Sequence, residues 1–180
     1  MPHFTQKAKI RDYIKEKHPM LKAIYIELGF YMQNWTSFFK AKTTGDGTVV
    51  FAALLNKSTQ LHMADVEDTG PVVCEILNHP EKYVGQDICI CGEVIQFGDI
   101  PKVFTKVTGV PAITNTLTEE EFRAELHFMP KTVQDEVIDM LKWFQDYGYY
   151  GKEKDWTTGK KLTKLNTFEQ WLKKVDWKGQ

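Results

Sequence analysis

Apolar and polar positions follow two periods along this chain, one helical and one extended, and they change places several times. Ile10, Tyr13, Ile14 and the aliphatic stem of Lys17 recur at helical spacing opposite Lys9, Arg11, Asp12, Lys15 and Glu16. That pattern predicts a helix over 5–17 that His18-Pro19 ends. Alternating and branched apolar residues over 22–28 predict a short strand, and Gly29 breaks it. Phe30, Tyr31, Met32, Trp35, Phe38 and Phe39 then crowd aromatic surface into ten residues, followed by a turn over 42–47. Residues 48–55 are strongly β-like, with 60–63 as a short partner strand.

The second half is read as mainly helical. Asp65 caps a helix whose expected buried stripe is Val66, Thr69, Val73, Ile76 and Leu77, with Pro71 delaying or bending its start. After a loop over 79–85, residues 86–91 form a strand with little polar alternation, as a buried position requires. Helices are predicted from Phe97 or Asp99 to Thr108, and over 116–126 with Thr118 and Glu121 as a capping box. Another runs from Pro130 to Tyr147 with Val133, Val137, Leu141 and Phe144 as its stripe. The last helix carries Leu165, Phe168, Trp171, Leu172 and Val175, opened by Asn166 with Glu169 three later.

Composition narrows the class. The chain has 180 residues, 42% of them hydrophobic and 26% charged, which fits one domain with a core and excludes a disordered or collagenous chain. A formal charge of −1 gives no global field for nucleic acid or an anionic membrane. No long apolar run spans a bilayer, and the start does not resemble a signal peptide, so the expected location is the cytoplasm. Charge is nevertheless uneven. Seven acids stand against two bases over 119–139, and eight lysines against four acids over 152–178, so the basic tail is expected to pack beside the acidic stretch.

Cys74, Cys89 and Cys91 are an odd number without further ligands at zinc spacing, so Cys89 and Cys91 read as buried thiols, with neither disulfide nor metal. The chain has no G-x-S-x-G elbow, H-E-x-x-H pair, phosphate-binding P-loop or G-x-G-x-x-G cluster. Lys7 is either a donor to a ribose or phosphate oxygen or one solvated lysine among several. The turn at Tyr31, Gln33 and Asn34 leaves a strand end, where α/β sheets bind ligands, or else is an aromatic core corner.

Five segments occur in the order seen in one family. They are His3-Phe4-Thr5-Gln6-Lys7, Gly29-Phe30-Tyr31-Met32-Gln33-Asn34, Ala64 to Pro71, His79 to Gln86, and Leu165 to Leu172. Together they span about residues 3 to 172, and the chain resembles the NmrA-like family of atypical short-chain dehydrogenase/reductase proteins. The resemblance implies an α/β fold, the C-terminal portion of an NAD(P)-binding Rossmann-like domain. Residues 1–92 would be a partial Rossmann-like core and 93–180 a mostly helical substrate region.

It implies NADP(H) as ligand, with Lys7 approaching the nicotinamide ribose and Phe30, Tyr31, Met32, Gln33 and Asn34 lining the nicotinamide end. The glycine-rich half of the fold is expected to lie outside these 180 residues, so NADP binding by them alone is expected to be weak or absent. Where classical reductases place the tyrosine of their Tyr-x-x-x-Lys pair, this chain has His3, so no catalytic residue is assigned. A redox sensor or transcriptional regulator is the implied role, with a regulatory protein partner or dimer and a nuclear as well as cytoplasmic location. An NAD(P)H-dependent reductase of the isoflavone or quinone type is the alternative. Family members often have a basic pair where this chain has Glu27-Leu28. The Glu27 charge must therefore face away from the cofactor or pair with a lysine.

Overall fold

A computed structural model describes residues 2–179; Met1, Gln180 and the His3 side chain lie outside the described residues, and with them the position set against the reductase tyrosine. Helix α1 (Pro2–Lys17) leads into β1 (Tyr25–Leu28), and Gly29 passes the chain directly into β2 (Phe30–Tyr31) and a 3-10 turn at Met32–Thr36. Next come β3 (Lys42–Thr43), β4 (Val49–Ala53), β5 (Gln60–Ala64), α2 (Thr69–Asn78), β6 (Asp87–Ile90), β7 (Glu93–Gln96) and α3 (Ile100–Thr108). The chain closes with β8 (Ala112–Thr116), α4 (Glu119–Glu125), α5 (Lys131–Tyr147) and α6 (Phe168–Val175).

Among the described residues the strands form three small sheets: β1 pairs with β6 in parallel, β5 holds β2 in parallel and β7 antiparallel, and β4 holds β8 in parallel and β3 antiparallel. The first two sheets run into each other through glycines. Gly29 N–H donates to Ile90 O at 3.0 Å, and Gly92 N–H to Met63 O at 2.8 Å. A Cβ at Gly29 would lie 2.4 Å from His62 O, and one at Gly92 only 1.7 Å from Asn166 O, so both crossings require glycine. Parallel pairing with helical crossovers makes this a mixed α/β fold.

One core cluster centres on Trp35, fully buried, edge-on to Phe51 at 5.3 Å and stacked with Phe97 at 6.2 Å. A smaller one packs Val72 and Ile76 of α2 against Ile88 and Ile90 of β6. The α2 stripe is therefore out of phase with the expected one. Val66 and Leu77 are exposed, and Val72 takes the buried place, because Asp65 caps a 3-10 turn at Val66–Asp68 and the α-helix starts only at Thr69.

Helix α1 also differs from expectation. Ile10 and Tyr13 are exposed, and it is Phe4 that packs against the main core. In α5, Ile138 joins Leu141 and Phe144 inside, while Val133 is exposed. The last helix is capped one residue later than expected. Thr167 Oγ1 accepts from Gln170 N–H, and Gln170 Oε1 accepts from Thr167 N–H, because Asn166 is engaged by two aspartates instead.

Strands β7 and β8 are additional to the expected set, and both ladders they join cross the boundary at residue 92. Ion pairs of the basic tail reach elsewhere than the acidic stretch. Lys154 pairs with Glu27, Lys173 with Glu169, and Lys174 with Asp65 and Glu67, whereas Glu119 and Glu125 pair with Arg123, Lys142 and Lys42.

Candidate functional site

A cavity of about 970 Å³ lies between the N-terminal half of α1, the length of β1 and the C-terminal end of α5. Lys7 and Tyr31 both line it, although 24 positions separate them. Helix α1 presents Lys7 beside Phe4, Ala8 and Arg11, and Phe4 meets Tyr149 edge to face at 6.4 Å. Tyr31 stands at the end of β2, where the chain leaves the sheet, and is 41% exposed. That is the strand-end position at which open α/β sheets take ligands.

The other residues of the aromatic turn are placed differently. Phe30 is buried and packs on Trp35 and Phe39, and Met32 is fully buried, so both form the rear support of the turn. Gln33 Nε2 donates to Asp65 Oδ1 at 2.6 Å, and its Oε1 accepts from Val66 N–H at 3.3 Å. Asn34 serves through its carbonyl, which accepts from Ser37 and Phe39 N–H. The structure thus brings Lys7 and Tyr31 together at the cavity, while Phe30, Met32, Gln33 and Asn34 fix the turn that carries Tyr31.

A buried polar knot anchors that turn. Asp65 Oδ2 accepts from Lys174 Nζ at 2.8 Å and Asn166 Nδ2 at 3.1 Å, and Asn166 also donates from its N–H and Nδ2 to Asp68. Burial opposes the charge on Asp65, but hydrogen bonds from Lys174, Gln33 and the Glu67 N–H outweigh it and hold its pKa below the usual value. Asp68, also desolvated and close to the Asp65 charge, is pushed the other way despite its bonds from Asn166.

Glu27, whose charge the sequence singles out, lines the cavity too, whereas the sequence does not point to Arg11, Asp139, Lys142, Trp143, Asp146, Tyr147, Tyr149 or Tyr150. The run Tyr147-Gly148-Tyr149-Tyr150 was their one visible local signal. Tyr150 hydroxyl lies between Glu27 O at 3.0 Å and Ile90 O at 3.2 Å, clamping β1 to β6 at the cavity floor. Burial raises the pKa of both Tyr149 and Tyr150, so neither gives up its proton near neutrality. Cys89 and Cys91 are buried, and desolvation pushes their thiols up to about 11 and about 12. No cluster of metal-ligating side chains occurs among the described residues. None of their helices is long and apolar enough to cross a membrane.

Comparison with known proteins agrees with this architecture. The NmrA-like family matches residues 1–172. An NmrA-like family domain-containing protein of Dictyostelium discoideum is 24% identical over 186 residues, covering 98% of this chain and 58% of the relative. Among solved structures, NmrA, a negative transcriptional regulator in complex with NADP, superposes with a TM-score of 0.73 at 16% identity, over 92% of this chain and 55% of that one. An NADPH-dependent quinone oxidoreductase from Escherichia coli gives 0.64 at 18% identity, over 83% and 53%. The chain spans little more than half the length of the relatives it matches. The fold is similar to the Rossmann-like fold of these structures, and the chain belongs to the NmrA-like family.

Proposed function

We propose that this chain binds the nicotinamide end of NADP(H) and acts as a redox-sensing or regulatory protein. The observation that carries the reading is the placement of Lys7 and Tyr31 on one cavity at the end of β2. A lysine offers a compact charge with three donors, suited to a ribose hydroxyl or phosphate oxygen, and Tyr31 offers a flat face for the nicotinamide ring. Phe30 and Met32 contribute by bracing Tyr31, and Gln33 and Asn34 by fixing the turn. Residues 1–92 supply the nucleotide side and 93–180 the substrate or effector side of the cavity. The glycine-rich phosphate site is absent from this sequence, so affinity is weak and the adenosine end contributes little of it.

The test is a titration of NADPH followed by nicotinamide fluorescence, with reduced nicotinamide mononucleotide in parallel. The two are expected to bind within about fivefold of each other, and Tyr31→Ala to weaken both. A preference of 100-fold for the full dinucleotide would refute the assignment of the cavity to the nicotinamide end.

The likeness to a quinone oxidoreductase supports a second reading, hydride transfer from NADPH to a flat electrophile. Turnover of NADPH with a panel of quinones separates the two: the regulatory reading expects none above background.

A further inference from the structure

The cavity meets β1 at its edge. Ile24 and the whole of β1, from Tyr25 to Leu28, line it, although side chains in a strand alternate between two faces. A cavity lying on one face touches every second residue, whereas one that touches every residue lies beside the strand. The hydrogen bonds agree. Tyr25 N–H donates to Gln86 O and Gly29 N–H to Ile90 O, both at 3.0 Å, so these positions turn their backbone groups to β6. The alternate residues Ile26 and Leu28 turn theirs away from β6, and no strand pairs with that side of β1 among the described residues.

The residues of this edge suit it for pairing. Strands that stay free at an edge are blunted by proline, lysine, a bulge or an inward-pointing charge. Residues 24–28 contain neither proline nor lysine, and their one charge, Glu27, is held by Lys154. Ile26 and Leu28 pack against the α2 cluster yet are only half-buried, and both also line the cavity.

The neighbouring helices decide what can enter. Lys15 Nζ lies 5.0 Å over the Tyr25 ring, and Phe4 meets Tyr149, so α1 runs back along β1 while the end of α5 adjoins its first turn. A second copy approaching edge to edge would bring its own α1 and α5 against these helices before the strands came within about 4.8 Å, the spacing of paired strands. A single extended segment is slender enough. Alternate side chains of that segment continue the Ile26–Leu28 face toward Val72 and Ile76, which calls for branched apolar residues. The others turn toward Ala8 and Arg11 of α1, which suits small polar ones. We propose that the free edge of β1 is a docking site for an extended segment of a partner protein, added as a third strand beside β1 and β6. The inference goes beyond dinucleotide binding and does not depend on it, since it needs the backbone of β1 and neither Lys7 nor Tyr31.

Amide hydrogen exchange, read residue by residue on the isotope-labelled chain, tests this. In the free chain the amides of Ile26 and Leu28 are expected to exchange about tenfold or more faster than those of Tyr25 and Glu27. The probe is acetyl-Lys-Thr-Val-Thr-Val-Thr-Val-Thr-Lys-amide, whose valines share one face, and at saturation it is expected to slow both amides about tenfold or more. The same peptide methylated on every backbone nitrogen cannot donate to an edge, and is expected to bind about tenfold or more weakly. Ile26→Pro removes a donor from the free edge and leaves the bonds to β6 in place, so it is expected to fold and to lose the peptide. Should that variant not fold, the exchange measured on the parent decides alone.

Equal affinity for the two peptides overturns the proposal, as does binding that leaves exchange at Ile26 and Leu28 unchanged, or no binding at millimolar peptide. Protection of these amides without peptide that rises with protein concentration would assign the edge to a second copy and overturn it as well.

Discussion

Glu27, on the cavity side of β1, is held by Lys154 from a loop 127 positions further along the chain. Both side chains are roughly three-quarters buried, and Asp87 stands 4.0 Å from the same ammonium group. The pair answers the charge requirement that Glu27 raises in the sequence: the carboxylate lines the cavity but is neutralised by a lysine. Lys154→Ala leaves Glu27 and Asp87 without that cation. Its cost falls between those of exposed and fully buried pairs, about 1–3 kcal/mol, or a melting temperature roughly 3–10 °C lower. Thermal melts check this, and the double variant with Glu27→Gln is expected to recover most of the loss.

Asp65 gives a pH signature. Its folded pKa lies below the ordinary 3.8, so its stabilising contribution is complete above that value and is lost as pH falls through the folded pKa. An asparagine at this position keeps an acceptor for Gln33 and Glu67 N–H but presents its NH2 to Lys174 and Asn166, both donors. Asp65→Asn is expected to cost about 1–3 kcal/mol at pH 7. Denaturant midpoints measured from pH 7 to pH 3 should show the gap from the parent narrowing as Asp65 becomes protonated.

Of the glycines, Gly92 leaves the least room for a side chain. The Cβ of Gly92→Ala would stand 1.7 Å from the Asn166 carbonyl oxygen, a backbone atom that Asn166 cannot move without pulling on Asp65 and Asp68. Loss of soluble folded protein, or a melting temperature lower by more than about 10 °C, is the expected result. Gly45→Ala, with open space around it, serves as the control and should melt with the parent.

The thiols should differ sharply in reactivity. Cys89 and Cys91 are buried with raised pKa values of about 11 and about 12, whereas Cys74 is exposed. Titration with a thiol-reactive chromophore at pH 7.5 should count one rapidly reacting cysteine in the folded chain and three after unfolding.

The elements legible in the sequence were those specified locally. Helix α4 shows its capping box at Thr118 and Glu121, and β4 and β6 announce themselves through apolar runs. Strands β7 and β8 were not legible, since Glu93, Gln96, Thr114 and Asn115 carry little strand pattern and take their conformation from β5 and β4. The cap of α6 was misplaced by one residue because Asn166 with Glu169 mimics the spacing of Thr167 with Gln170, and only the distant aspartates show which pair is free to cap.

The same limit applies to the site. Lys7 and Tyr31 stood out because family motifs flank them. Trp143, Tyr147 and Asp146 read only as a helix surface until α5 is folded across the cavity from α1. Within the aromatic turn, residue type alone could not tell exposed Tyr31 from buried Phe30 and Met32.

The most direct measurement is saturation-transfer NMR on NADPH with the parent chain and with Lys7→Ala, because it detects weak binding and reports which end of the ligand touches the protein. The parent should saturate the nicotinamide and adjacent ribose protons well above those of adenine. Lys7→Ala should bind about 10- to 150-fold more weakly, the loss expected for one charge-assisted hydrogen bond of about 1.5–3 kcal/mol. Saturation centred on adenine, no saturation at either end, or a Lys7→Ala affinity within twofold of the parent would contradict the assignment.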